Sequence, residues 1–183
     1  MVFNLPVLLT WVRIALIPLM IFLFYLQQPW ASLATAVVFA LAGITDWADG
    51  YLARLWQQES RFGAFLDPVA DKLIVAVALI LIVEREADFW VTLATTVIIS
   101  REIVISALRE WMAEVGARGK VAVAYIGKVK TAVQMLALVC LLYNQGSLLG
   151  LAIRDIGLIA LFIATLLTVT SMVQYIQSAF RSE

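Results

Sequence analysis

Four aspartates fall in two close pairs, Asp46 with Asp49 and Asp67 with Asp71. The first pair is three residues apart and the second four, so on helices each pair shares one face. Carboxylates gathered into one volume repel each other, and they are costly to desolvate at a membrane. Cations make such a cluster tolerable. The chain has no His and one Cys. Oxygen donors therefore dominate, a set that selects Mg2+, Mn2+ or Ca2+ rather than zinc. With histidine absent, acid–base work also falls to carboxylates.

Small and basic residues accompany the aspartates. Gly50 and Ala53 follow Asp46 on the same helical face, and Gly63 precedes Asp67 by one turn. None is bulky, so a flat or charged ligand can approach the backbone. Arg54 lies two turns beyond Asp46, where a guanidinium can meet a phosphate oxygen. Taken singly, Asp-x-x-Asp can be a solvated helix end, small residues can serve helix packing, and Arg54 can be a membrane-surface anchor. The full set at fixed spacing is hard to explain by packing.

These residues must be positioned by membrane helices. Of 183 residues, 63% are hydrophobic and 14% charged, against about 45–50% and about 25% in soluble domains. Lipid must cover much of this surface. Thirteen basic residues balance thirteen acidic ones, which leaves no basic excess to track nucleic acid. The length suits one domain, residues 1–183. Cys140 can make no internal disulfide. The N-terminal stretch lacks the basic region and cleavage site of a signal peptide, so the first apolar run is expected to stay in the membrane.

Six apolar runs are long enough to span. They cover about 7–26, 30 to beyond 50, 69–84, 89–112, 121–143 and 149–176. The fold class is therefore all-α, a polytopic membrane protein with six transmembrane helices, and residues 54–67 form a loop. Six spans put eleven Lys and Arg residues on the side of both termini, and only Arg85 and Arg154 opposite. Basic residues stay inside, so both termini are expected in the cytoplasm. Trp30, Phe89, Trp90 and Tyr143 would anchor the outer interface.

The stretch Asp46-x-x-Asp49-Gly50-x-x-Ala53-Arg54, eight residues, Gly63-x-x-x-Asp67-x-x-x-Asp71 resembles, position for position, the signature of the CDP-alcohol phosphatidyltransferase family. Outside it, Asn4-Leu-Pro6, Leu9-Thr10-Trp-Val-Arg13, the 100–114 segment and Gly127-Lys128-Val-Lys130-Thr131 look like the bacterial branch whose acceptor is sn-glycerol 3-phosphate. The resemblance covers nearly the whole chain. It implies a CDP-diacylglycerol donor, CMP as leaving group, and Mg2+ (or Mn2+), two ions. Asp46, Asp49 and Asp67 would bind metal. Asp71 would sit near the second ion and act as general base. Asp49, Gly50, Ala53, Arg54 and Gly63 would line the CDP pocket. The resemblance also suggests a homodimer in a bacterial inner membrane, its active site facing the cytoplasm.

A phosphorylated acceptor needs a basic pocket. Arg101, Arg109, Lys128 and Lys130 are candidates, with Thr10 and Arg13 of the first span. Lys128 and Lys130 diverge by about 200° on a helix, so one of the two is expected to reach the acceptor. Glu102, Glu110 or Glu114 could instead pair with these cations, and Lys72 could be a counter-charge. Gln134 and Gln174 read as hydrogen bonders between helices. Arg154 and Asp155 lie away from the chemistry. Serine or inositol phosphate as acceptor, and a divalent cation transporter, are the competing readings.

Overall fold

The computed structural model describes residues 5–56, 61–114, 125–148 and 150–180. Side chains are described within these ranges except at 5–7, 46–56, 61–65, Arg109, Ala113, 125–126, Lys128 and 178–180. Six helices occur among the described residues: α1 (Leu5–Tyr25), α2 (Ala31–Trp56), α3 (Arg61–Glu86), α4 (Phe89–Glu114), α5 (Tyr125–Tyr143) and α6 (Ile153–Phe180). A two-residue-strand hairpin, β1 (Ser147–Leu148) with β2 (Leu151–Ala152), precedes α6. Helices are forced by the solvent, because a backbone group in lipid has no water to bond.

Local chemistry sets several boundaries. Asp88 caps α4, its Oδ1 accepting from the amides of Trp90 (2.8 Å) and Val91 (3.1 Å). Ala87 (φ 46°) and Asn144 (φ 48°) end α3 and α5 in the left-handed region. The sixth helix starts at Ile153 rather than near 149, because Gly146 (φ 75°) and Gly150 (φ 82°) allow the tight reversal of the hairpin. Most of the expected 54–67 loop is also helical. Helix α2 continues to Trp56, and α3 begins at Arg61 with Pro68 inside it. A proline in a membrane helix does not end it when neighbours re-satisfy the freed carbonyl. Asp67 and Asp71 therefore stand on one continuous helix.

Each helix touches two neighbours in a closed circuit, α1–α2–α5–α6–α4–α3 and back to α1, and α3 also meets α2 and α5. Met20, Phe39, Ile74, Leu79, Ile98, Leu138 and Leu161 fill the interior. Phe22, Ile80, Leu136 and Leu166 lie more than half exposed on the outside. Such a surface suits lipid, and the described residues form a predominantly helical membrane protein. Among the described residues, α1, α4 and α6 contain apolar stretches long enough to cross a bilayer, and α2 and α5 contain shorter ones. A Cβ on Gly157 would come within 2.8 Å of Leu141 Cγ, so α5 and α6 cross in close contact.

Successive helices alternate in direction, which separates two polar ends. At one end, Arg85 donates to the carbonyls of Leu141 (3.0 Å) and Leu142 (2.9 Å) and sits 4.4 Å from the centre of the Phe24 ring. It thereby caps α5 from α3. Arg154 pairs with Glu86 at 2.6 Å across α6 and α3. Arg85→Met is expected to lower thermal stability in detergent by about 1–3 kcal/mol, since two carbonyls lose their donor. A melting curve matching wild type would contradict this capping role. The other end carries the aspartates.

Candidate active site

Helices α1 and α3 run parallel, and their polar residues meet turn for turn. Thr10 donates its hydroxyl to Asp67 Oδ1. One turn on, Arg13 Nη1 reaches Asp71 Oδ1 at 2.6 Å. Both donors are fully buried, whereas the Asp71 side chain is 37% exposed. Charge-assisted bonds of this kind are short and fix orientation. Thr10 and Arg13, expected at an acceptor phosphate, are thus turned onto two of the aspartates.

A second cluster faces the first. Glu102 of α4 accepts from Lys130 Nζ of α5, and Arg101 Nη1 lies 3.1 Å from the same Oε1. Arg101 also donates to Ser171 Oγ of α6 at 3.2 Å, with Cζ 5.6 Å from the centre of the Tyr175 ring. Lys130 and Arg101 are almost wholly buried. Buried cations need such partners. The pairing expected for one of the acidic residues at 102, 110 and 114 is made by Glu102.

Between the clusters lies a cleft of about 260 Å³. Asp71 and Lys72 of α3 form one wall, Glu102 of α4 another, and Lys130, Thr131 and Gln134 of α5 the third. Val75 and Met135 give it an apolar floor. One cavity is therefore bordered by two carboxylates, Asp71 and Glu102, and two ammonium groups, Lys72 and Lys130. Arg101, an expected acceptor residue, lies against Glu102 and against Ser171 and Tyr175 of α6 and is not among the residues lining this cleft.

The side chains of Asp46, Asp49, Gly50, Ala53, Arg54, Gly63, Arg109 and Lys128 lie outside the described residues. The backbone at Asp46 to Arg54 and at Gly63 is helical. Among the described residues no group of three or more potential ligands could hold a metal, and two of the four aspartate side chains belong to that set. Those two fit a hard divalent ion. Asp67 and Asp71 offer only oxygen, sit one turn apart on one face, and are both partly open.

Two participants were missed in the sequence. Ser171 and Tyr175 are four apart on α6 and steady Arg101; that spacing was the available signal. Gln134 was expected to bridge helices, yet its buried Oε1 has no hydrogen-bond partner among the described residues.

The model of the CDP-alcohol phosphatidyltransferase family matches residues 3–173. Curated relatives are similar over almost the whole chain. One from Pectobacterium atrosepticum is 54% identical over 179 residues, covering 98% of this chain and 96% of its own. One from Sodalis glossinidius is 53% identical over 176 residues, covering 96% and 94%. One from Shigella flexneri serotype 5b is 51% identical over 179 residues, covering 98% and 96%. Each is named CDP-diacylglycerol–glycerol-3-phosphate 3-phosphatidyltransferase. A match this long, on a bundle that sets paired aspartates against a buried lysine, places the chain in the CDP-alcohol phosphatidyltransferase family.

Proposed function

We propose that this chain transfers the phosphatidyl group of CDP-diacylglycerol to sn-glycerol 3-phosphate, giving phosphatidylglycerol phosphate and CMP. The observation that carries the reading is near-full-length similarity to relatives bearing that activity in their names. The cleft supports it, because a phosphorylated alcohol needs a cation for its phosphate beside a base for its hydroxyl. Lys130 and Asp71 border the same cavity.

The unit is one domain over residues 1–183, with six spans and both termini in the cytoplasm of a bacterial inner membrane. The basic residues at the aspartate end support that orientation. A homodimer is the expected assembly.

In the reaction an oxygen of the acceptor's terminal hydroxyl bonds to the phosphatidyl phosphorus. The bond from that phosphorus to the CMP oxygen breaks. Asp71 takes the hydroxyl proton on its carboxylate, which Arg13 holds through Oδ1. Lys130 and Lys72 draw the acceptor phosphate into the cleft, and Glu102 keeps Lys130 pointed there. Thr10 orients Asp67. Asp49, Gly50, Ala53, Arg54 and Gly63 are the proposed CDP-contacting positions, and Arg109 and Lys128 are further candidates for the acceptor. Asp46, Asp49, Asp67 and Asp71 would hold one or two Mg2+ or Mn2+ ions, which neutralise charge on the diphosphate and on departing CMP.

The test is direct. Purified protein, CDP-diacylglycerol, Mg2+ and radiolabelled glycerol 3-phosphate are expected to give labelled lipid and free CMP in equal amounts. Absence of both products would overturn the reading. Chelation by EDTA is expected to reduce turnover to background, and added Mg2+ or Mn2+ to restore it. Unchanged turnover in EDTA would remove the metal from the mechanism.

A further inference from the structure

Three polar residues of α5 and a glycine share one helical face, a face that the position of Lys128 does not share. Gly127, Lys130, Thr131 and Gln134 follow the i, i+3, i+4, i+7 pattern of one face. Thr131 spends its proton on the Gly127 carbonyl at 2.9 Å. Lys130 is held by Glu102. Gln134 is only 5% exposed, borders the cleft, and has a buried Oε1 without a partner among the described residues.

An orphaned buried acceptor costs about 1–3 kcal/mol, so such groups are rare without a reason. The cleft that Gln134 lines offers one: a turn of the amide would bring Oε1 from its enclosed position to a hydroxyl donor there. Gln134 lies one turn beyond Lys130, about 6 Å further along the axis and toward the apolar floor. A phosphate held at Lys130 therefore leaves the carbon chain of its ester pointing toward Gln134. Asp71, on the opposite wall, is the partner for the hydroxyl that attacks.

We propose that Gln134 is a substrate-binding residue whose amide oxygen accepts a hydrogen bond from the acceptor hydroxyl that is not attacked. For a glycerol phosphate this is the central hydroxyl. The residue then discriminates polyol phosphates from simple hydroxyalkyl phosphates. This assignment rests on the acceptor reading of the cleft.

The test compares sn-glycerol 3-phosphate with propane-1,3-diol phosphate, which keeps the phosphate and a terminal hydroxyl but lacks the central one. Wild type is expected to favour glycerol phosphate by about 10- to 100-fold in kcat/KM. Gln134→Met, similar in volume and unable to accept strongly, is expected to reduce that preference below about threefold. The KM for CDP-diacylglycerol should stay within about twofold of wild type. If Gln134→Met does not fold, Gln134→Asn replaces it, since the shorter side chain withdraws the amide from the hydroxyl. Wild type accepting both compounds equally, or a variant that keeps the full preference, overturns the proposal. Wild type that turns over neither compound refutes the proposed activity itself, a separate result.

Discussion

Asp71→Asn is expected to lower kcat by about a thousandfold while the bundle stays folded, the range a general base supplies. The change preserves size and removes the negative charge, and with it the proton-accepting role and the proposed hold on a metal ion. The position allows little compensation. Asp71 borders the cleft, and the Arg13 guanidinium, itself buried, holds its Oδ1 at 2.6 Å. No histidine exists to take over. Loss of the ion pair weakens the α1–α3 contact, so thermal stability should be measured beside turnover. Arg13→Met weakens the same contact and keeps the carboxylate, so it serves as the control. A purely structural role for Asp71 predicts equal losses in the two variants. The catalytic role predicts a far larger loss in Asp71→Asn, and wild-type turnover in that variant would end the assignment.

Asp71 also shows what was legible in the sequence. Spacing alone put Asp67 and Asp71 on one helical face, because a period of 3.6 residues leaves no other arrangement. The apolar runs located the helices, since only a helix satisfies its own backbone in lipid. Two boundaries failed for local reasons. Residues 54–67 were expected to form a loop, yet α3 already begins at Arg61 and runs through Pro68, and the reversal at Gly146 and Gly150 depends on φ values no hydropathy pattern encodes. Partners across the bundle were harder to read. Nothing in the spacing of Thr10 and Arg13 says that they face α3 rather than a substrate. That follows from the parallel packing of α1 on α3, a tertiary fact. The same holds for Glu102, whose role depends on α5 and α6 arriving on either side of α4.

Lys130→Met is expected to cut kcat/KM for glycerol 3-phosphate by about a hundredfold, with the KM for CDP-diacylglycerol within about twofold of wild type. Lys130 borders the cleft as a nearly fully buried cation, so its charge acts with little screening by solvent. Its removal has two consequences that must be separated. The acceptor phosphate loses a cation, and Glu102 loses a partner. Glu102 keeps Arg101 at 3.1 Å, which limits the structural damage. The double variant Lys130→Met with Glu102→Gln divides the two effects, since breaking one side of a buried pair costs far more than replacing both. If Lys130 only balances Glu102, the double variant recovers stability and activity together. If it binds the acceptor, the double variant recovers stability alone and kcat/KM stays low. Recovery of activity would move the phosphate site away from Lys130 and leave Lys72 as the cation facing the cleft from the aspartate wall.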